Sequence, residues 1–94
     1  MQVQFRLNYQ ALWGQSIYLQ VYTGDEQYVR HEMICKGVNL WLVKINLDEN
    51  ATEIQYRYAI RNQDKTFENE FGLMRRLKIP KTDKIIALED YWRI

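Results

Sequence analysis

The residues able to do covalent chemistry are few in this chain. It holds one Cys and one His, Cys35 and His31. A thiol and an imidazole four positions apart can form a nucleophile–base pair only if the fold brings them within hydrogen-bond reach. Glu68 and Glu70 form an acidic pair of the kind glycosidases use. Side chains two apart on one strand share a face, whereas the acid and its partner carboxylate must flank the scissile bond. Ser16 is the only serine and falls inside an alternating stretch, not in a nucleophile elbow. Gly14, Gly24, Gly37 and Gly72 are isolated, so no phosphate-binding loop is present. One Cys permits no intrachain disulfide, and one Cys with one His cannot complete a Cys/His zinc site. The expectation is no catalytic residue, no metal and no cofactor.

What remains is aromatic. Three Trp and seven Tyr in 94 residues exceed the needs of one small core, so some are expected at the surface as a binding platform. A pyranose has an apolar C–H face and a polar rim. Stiff indole and phenol rings cover the first while Arg, Lys, Asn or Glu bond to the second. Trp13 precedes Gly14 and lies outside any alternating pattern; it either presents its ring to a ligand or caps an open end of the fold. Trp41 shares its side with Val43, Ile45 and Leu47, a core position by pattern, unless it reaches a groove at the strand entry. Trp92, beside Asp90 and Arg93, is expected to pack the last strand. Tyr56 and Tyr58 point inward, which turns Arg57 outward.

The elements that must position these groups are strands. Val3, Phe5 and Leu7 alternate with polar residues, as do Ile17, Leu19 and Val21, and Ile54, Tyr56, Tyr58 and Ile60. Val38 to Leu47 reads as a central strand, and His31 to Cys35 as a short irregular one. Leu77 and Ile79 end a strand that Pro80 stops, and Ile85 to Leu88 make the last. Turn residues fall between them at Trp13-Gly14, Thr23-Gly24-Asp25, Lys36-Gly37, Asp48-Glu49-Asn50 and Asn62-Gln63-Asp64-Lys65. The sequon Asn50-Ala51-Thr52 reads as part of a polar turn. No segment carries a helical stripe. The spacing predicts an all-β, antiparallel immunoglobulin-like β-sandwich of about seven strands, one domain over residues 1–94.

Charge narrows the partners. Lys+Arg 13 against Asp+Glu 12 gives a net charge of +1, which argues against nucleic acid and against a polybasic membrane patch. Hydrophobic residues at 47% suffice for one core. No run approaches a membrane span, and the N-terminal stretch alternates instead of forming a leader. A cytoplasmic chain is expected, the front part of a longer protein.

Taken in order, Phe5-Arg6-Leu7, Trp13-Gly14-Gln15-Ser16-Ile17-Tyr18-Leu19, Leu40-Trp41, Gln55-Tyr56-Arg57-Tyr58, Arg75 or Arg76 followed by Ile79-Pro80, and Asp90-Tyr91-Trp92-Arg93 resemble a family 20 carbohydrate-binding module, the starch-binding domain. The resemblance spans nearly the whole chain and implies a non-catalytic module with two sites for α-1,4-glucan. It implies Trp13 and Trp41 in the second site. In the first it implies Arg57 where the family has a Lys, and Phe67-Glu68 for a tryptophan–glutamate pair, with Phe71 as the rival alignment. The family's Leu-Gly-x-Trp loop is absent; the chain reads Gly24-Asp25-Glu26-Gln27-Tyr28, and Tyr28 is the residue available to stand in for the missing tryptophan. Such a module at an N-terminus also resembles the front of amylomaltase-type 4-α-glucanotransferases, which implies a C-terminal catalytic domain as partner. The alternative is a sandwich that has lost glucan binding and serves as an interdomain or protein–protein docking module.

Overall fold

Alternation along the chain becomes pairing in space. The computed structural model describes residues 1–23, 27–81 and 85–93. Its strands are β1 (Gln2–Asn8), β2 (Ser16–Tyr22), β3 (Tyr28–Glu32), β4 (Ile34–Gly37), β5 (Leu40–Asn46), β6 (Glu53–Arg61), β7 (Phe67–Asn69), β8 (Arg75–Lys78) and β9 (Ile86–Tyr91). One sheet runs β4-β5-β1-β9; the other runs β3-β2-β6-β7, with β8 also pairing to β6. The all-β sandwich is as expected, with nine strands instead of about seven. Pairs are antiparallel except β1 with β9, which is parallel. No helix occurs among the described residues. Gly24, Asp25, Glu26 and Ile94 lie outside them.

The core is the inward set of each strand. Val3, Phe5 and Leu7 of β1, Ile17 and Leu19 of β2 and Tyr58 of β6 are fully buried, and Ile45, Ile54, Tyr56 and Ile60 nearly so. Fully burying one such side chain contributes about 1.5–3 kcal/mol. Trp41, Val43 and Ile45 pair with Leu7, Phe5 and Val3, so Trp41 lies on the inner side of its sheet.

Two local readings shift. The irregular stretch around His31 to Cys35 is two strands in different sheets. Met33 is buried where the chain crosses between them, its amide donating to the Ile17 carbonyl at 2.9 Å. The strand expected from Val38 begins at Leu40, and the turn falls on Val38 and Asn39 instead of Lys36-Gly37. Asn39 adopts φ 63°, which its short polar side chain tolerates, and Val38 is left exposed at the tip.

The sheets are latched by a polar network. Asp90 pairs with Leu7 and therefore faces inward. Its Oδ2 accepts from the hydroxyls of Tyr56 at 2.9 Å and Tyr58 at 2.8 Å. Its Oδ1 lies 3.2 Å from Arg75 Nη1. Arg75 grips both oxygens of buried Glu70 at 2.9 Å and donates to the Tyr91 carbonyl at 2.6 Å. Burial first, and the Asp90 charge next, push both phenols well above their ordinary range. Burial alone would lower the Arg75 guanidinium; Glu70 and Asp90 outweigh it and hold it above its ordinary range.

Removing Asp90 strands two hydroxyls and part of a guanidinium. Asp90→Ala is expected to cost about 3–5 kcal/mol, read as a lower urea midpoint with an unchanged slope. His31 pairs with Leu19 on the inner side, and burial holds its imidazole below the ordinary range. Unfolding therefore takes up a proton, so stability is full above the ordinary imidazole range and falls as pH drops through it. Midpoints at about pH 7.5 and about pH 5.5 are expected to differ less in His31→Gln than in the parent.

Candidate functional site

Trp13 sits at the tip of a tight turn from Leu12 to Gln15. The Gln15 amide donates to the Leu12 carbonyl at 3.1 Å, and Gly14 at the third position has φ 85°. That is type II geometry, which requires a glycine-like backbone there. The turn is held from within. Gln15 Oε1 accepts from the Leu12 amide at 2.7 Å and from the Tyr9 hydroxyl at 3.3 Å, and Gln15 Nε2 donates to Asn62 Oδ1 at 2.9 Å. Trp13, at the second position, is 87% exposed. It is a large rigid ring presented to solvent.

Trp41 is half-buried and packs against the core. Its indole N–H donates to the Tyr9 carbonyl at 3.1 Å. Tyr9 also packs against Trp92, centroids 5.1 Å apart, so Trp92 packs the end of the last strand as expected. Tyr9 thus bonds both to Trp41 and to Gln15, which places Trp13 and Trp41 at the same end of the sandwich. Trp13 gives an open ring and Trp41 a partly covered one.

The outer face of the five-stranded sheet brings other expected residues together. Strand register sets Tyr28, Arg30 and Glu32 of β3 beside Tyr22, Gln20 and Tyr18 of β2, and these beside Gln55, Arg57 and Ala59 of β6. Phe67 and Asn69 of β7 pair with Arg61 and Ala59. Gln20 and Ala59 are completely buried, although they point away from the main core. A second, thin layer covers them. Tyr18 meets Phe67 edge-on at 5.5 Å, and Tyr22 meets Tyr28 at 5.1 Å. The Arg30 guanidinium lies over Phe67 at 3.7 Å and over Tyr28 at 5.1 Å.

Tyr28 and Phe67 are therefore joined through Arg30, a residue the sequence reading did not single out. Arg57 shares the face, as expected from alternation, but Nη2 donates to the Gly72 carbonyl at 3.1 Å. Glu68 pairs with Ile60 and so lies on the opposite side of β7 from Phe67; it is not brought to this face. Phe71 is exposed, with its amide bonded to the Arg93 carbonyl. The signal for Arg30 was available: it alternates in step with Tyr28 two residues earlier.

The remaining chemical pairs do not form sites. His31 and Cys35 stand on strands of different sheets, and Cys35 Sγ donates to the Gly37 carbonyl at 3.2 Å. Glu70 is committed to Arg75 and to the Tyr58 amide, so it is closed to solvent while Glu68 is exposed. No three potential metal ligands cluster among the described residues.

No protein-family model matches the sequence, and no curated protein matches it. Solved structures do. The chain superposes on the glycoside hydrolase family 15 glucoamylase from Hypocrea jecorina with a TM-score of 0.86 and 16% identity, covering 100% of this chain and 17% of that one. It superposes on the gamma-CGTase from alkalophilic Bacillus clarkii with a TM-score of 0.79 and 12% identity, covering 99% of this chain and 15% of that one. At these identities the likeness is one of fold. The chain spans less than a fifth of either neighbour.

Gln15 is the side chain on which the Trp13 turn depends. Gln15→Ala is expected to cost about 1–2 kcal/mol and to speed hydrogen exchange at the Leu12 amide, measured by NMR, with exchange across β6 changed only in proportion to global stability.

Proposed function

We propose that this chain is a non-catalytic α-1,4-glucan-binding module. The observation that carries this reading is Trp13, 87% exposed at the tip of a turn stapled by Gln15. An uncovered indole costs hydration and gains nothing for folding, whereas a pre-oriented one meets the C–H face of a glucose ring with little entropy left to lose. The ordered motifs that resemble starch-binding domains point to the same ligand, and both solved neighbours carry the names of starch-active enzymes.

In this reading the module is the front part of a cytoplasmic 4-α-glucanotransferase. It acts by holding polymer near a downstream active site, so that a weak contact raises the effective concentration of substrate there. Trp13 supplies the open stacking surface and Trp41 the inner wall. Tyr28, Arg57 and Phe67 belong to the separate outer face of the five-stranded sheet.

A second reading, docking onto another domain, is favoured by one observation. Leu12 is 71% exposed beside Trp13, and Leu73 is 86% exposed; aliphatic side chains offer a sugar no hydroxyl contacts. Titration with maltoheptaose, followed by Trp fluorescence, separates the two. Glucan binding is expected with a dissociation constant on the order of 0.1–1 mM, about 4–5.5 kcal/mol, and is expected to vanish in Trp13→Ala with the circular dichroism spectrum unchanged. Absence of saturable binding in the parent protein turns the assignment to docking.

A further inference from the structure

The outer face of the five-stranded sheet differs from the Trp13 turn in one respect: its exposed rings, Tyr28 and Phe67, already carry a guanidinium. A neutral pyranose stacks by covering a ring face. One face of Phe67 lies under the Arg30 guanidinium at 3.7 Å, and the Tyr18 edge approaches the same ring at 5.5 Å. A sugar would have to displace a cation held at four points. Arg30 Nε donates to Gln20 Oε1 at 2.9 Å, Nη2 donates to the Tyr28 hydroxyl at 3.0 Å, and the rings of Phe67 and Tyr28 flank the plane. Gln20 is itself completely buried and anchored to Asn69 at 3.3 Å. Arg30 is exposed nevertheless, and its Nη1 has no protein acceptor among the described residues. The arrangement therefore offers solvent the edge of an oriented guanidinium, and the groups matching that edge are oxyanions.

The surroundings have the same sign. Arg57 lies across Gln20 from Arg30, and its Nε is buried with no hydrogen-bond partner. Arg61, Arg76 and Lys78 share the face by register, against Glu32 and Glu53. The salt bridges among the described residues all belong to Arg75, on the inner side; among those residues Arg30, Arg57, Arg61 and Arg76 have no ion-pair partner, while Lys78 stands opposite Glu53. A chain of net charge +1 places more cations than carboxylates on this face among the described residues.

We infer that this face binds a sugar chain carrying an oxyanion, a phosphate ester or a uronate carboxylate on an α-glucan, and that Arg30 is the residue that selects it over neutral glucan. The inference rests on the glucan reading above for the chain and adds the substituent that this face recognises. Aromatic rings still contribute here, by fixing the guanidinium instead of by stacking on glucose.

The test is amide-resolved NMR titration of the parent protein, Arg30→Gln and Arg30→Lys with three ligands: maltoheptaose, a maltooligosaccharide phosphorylated at one glucose, and one bearing a terminal glucuronate. Glucose 6-phosphate and inorganic phosphate serve as controls for the bare anion. Shifts at residues 28–32 and 67–69 are expected at roughly tenfold lower concentration for one or both charged sugars than for maltoheptaose, a difference of about 1.4 kcal/mol. That preference is expected to shrink in high salt, to vanish in Arg30→Gln and to persist in part in Arg30→Lys. The shifts near Trp13 are expected to be unaffected by either substitution. Which charged sugar wins identifies the source of the oxyanion. Equal response of residues 28–32 to charged and neutral chains, a response to inorganic phosphate as strong as to the phosphorylated sugar, or a charged-sugar preference that survives Arg30→Gln overturns the inference. Loss of the response to maltoheptaose at Trp13 alone strikes the neutral-glucan reading and leaves this one to stand on its own shifts.

Discussion

A carboxylate turned into the interior of a small sandwich must be answered by donors, or the sheets cannot close over it. Asp90 is that group. It sits on β9 of one sheet, and all its side-chain partners come from the other: Tyr56 and Tyr58 from β6 and Arg75 from β8. Apolar packing between the sheets is not directional, so it tolerates sliding; three donor atoms converging on one carboxylate do not. A one-residue slip of β9 would turn Asp90 outward and leave the tyrosine hydroxyls without an acceptor. The network extends through Arg75 to Glu70 and the Tyr91 carbonyl, tying the connection between β7 and β8 to the last strand.

The same latch positions the end of the molecule that carries Trp13. With β9 fixed beside β1, the Asn8 side chain bonds the Asp90 carbonyl and the Trp92 amide bonds the Asn8 carbonyl. Trp92 then supports Tyr9, and Tyr9 bonds Trp41 and Gln15. An uncovered indole is thereby held by a chain of contacts running back to the interior. The aromatic groups of the outer sheet face are arranged on a different logic. There Phe67 and Tyr28 carry the Arg30 guanidinium, so the two surfaces offer different chemistry although both are aromatic.

Much of the fold was legible in the sequence because strand alternation reports burial directly. Val3, Phe5 and Leu7 stand out by period alone, and so do the inward tyrosines of β6. The misses share a cause. Met33 gives no sign that the chain changes sheets there, since one apolar residue looks the same at a crossing as within a strand. The turn at Val38 and Asn39 was hidden behind an apolar run and a glycine that was the more obvious breaker. Gln20 and Ala59 sit on the outward phase of their strands yet are fully buried, because side chains from β3 and β7 fold over them. Alternation predicts which side a residue takes, not whether something later covers that side.

By itself the amino-acid order determined most of the strands, their inward residues and the turn at Trp13-Gly14. Each follows from local chemistry: periodicity, backbone freedom and residue type. Only the tertiary structure decided that Asp90, Tyr58 and Arg75 would share protons and charge across two sheets, that Glu70 would be closed off while Glu68 faces water, and that Arg30 would lie on Phe67. Those contacts join strands distant in the chain, and their existence depends on register and sheet order, which no short stretch of sequence encodes.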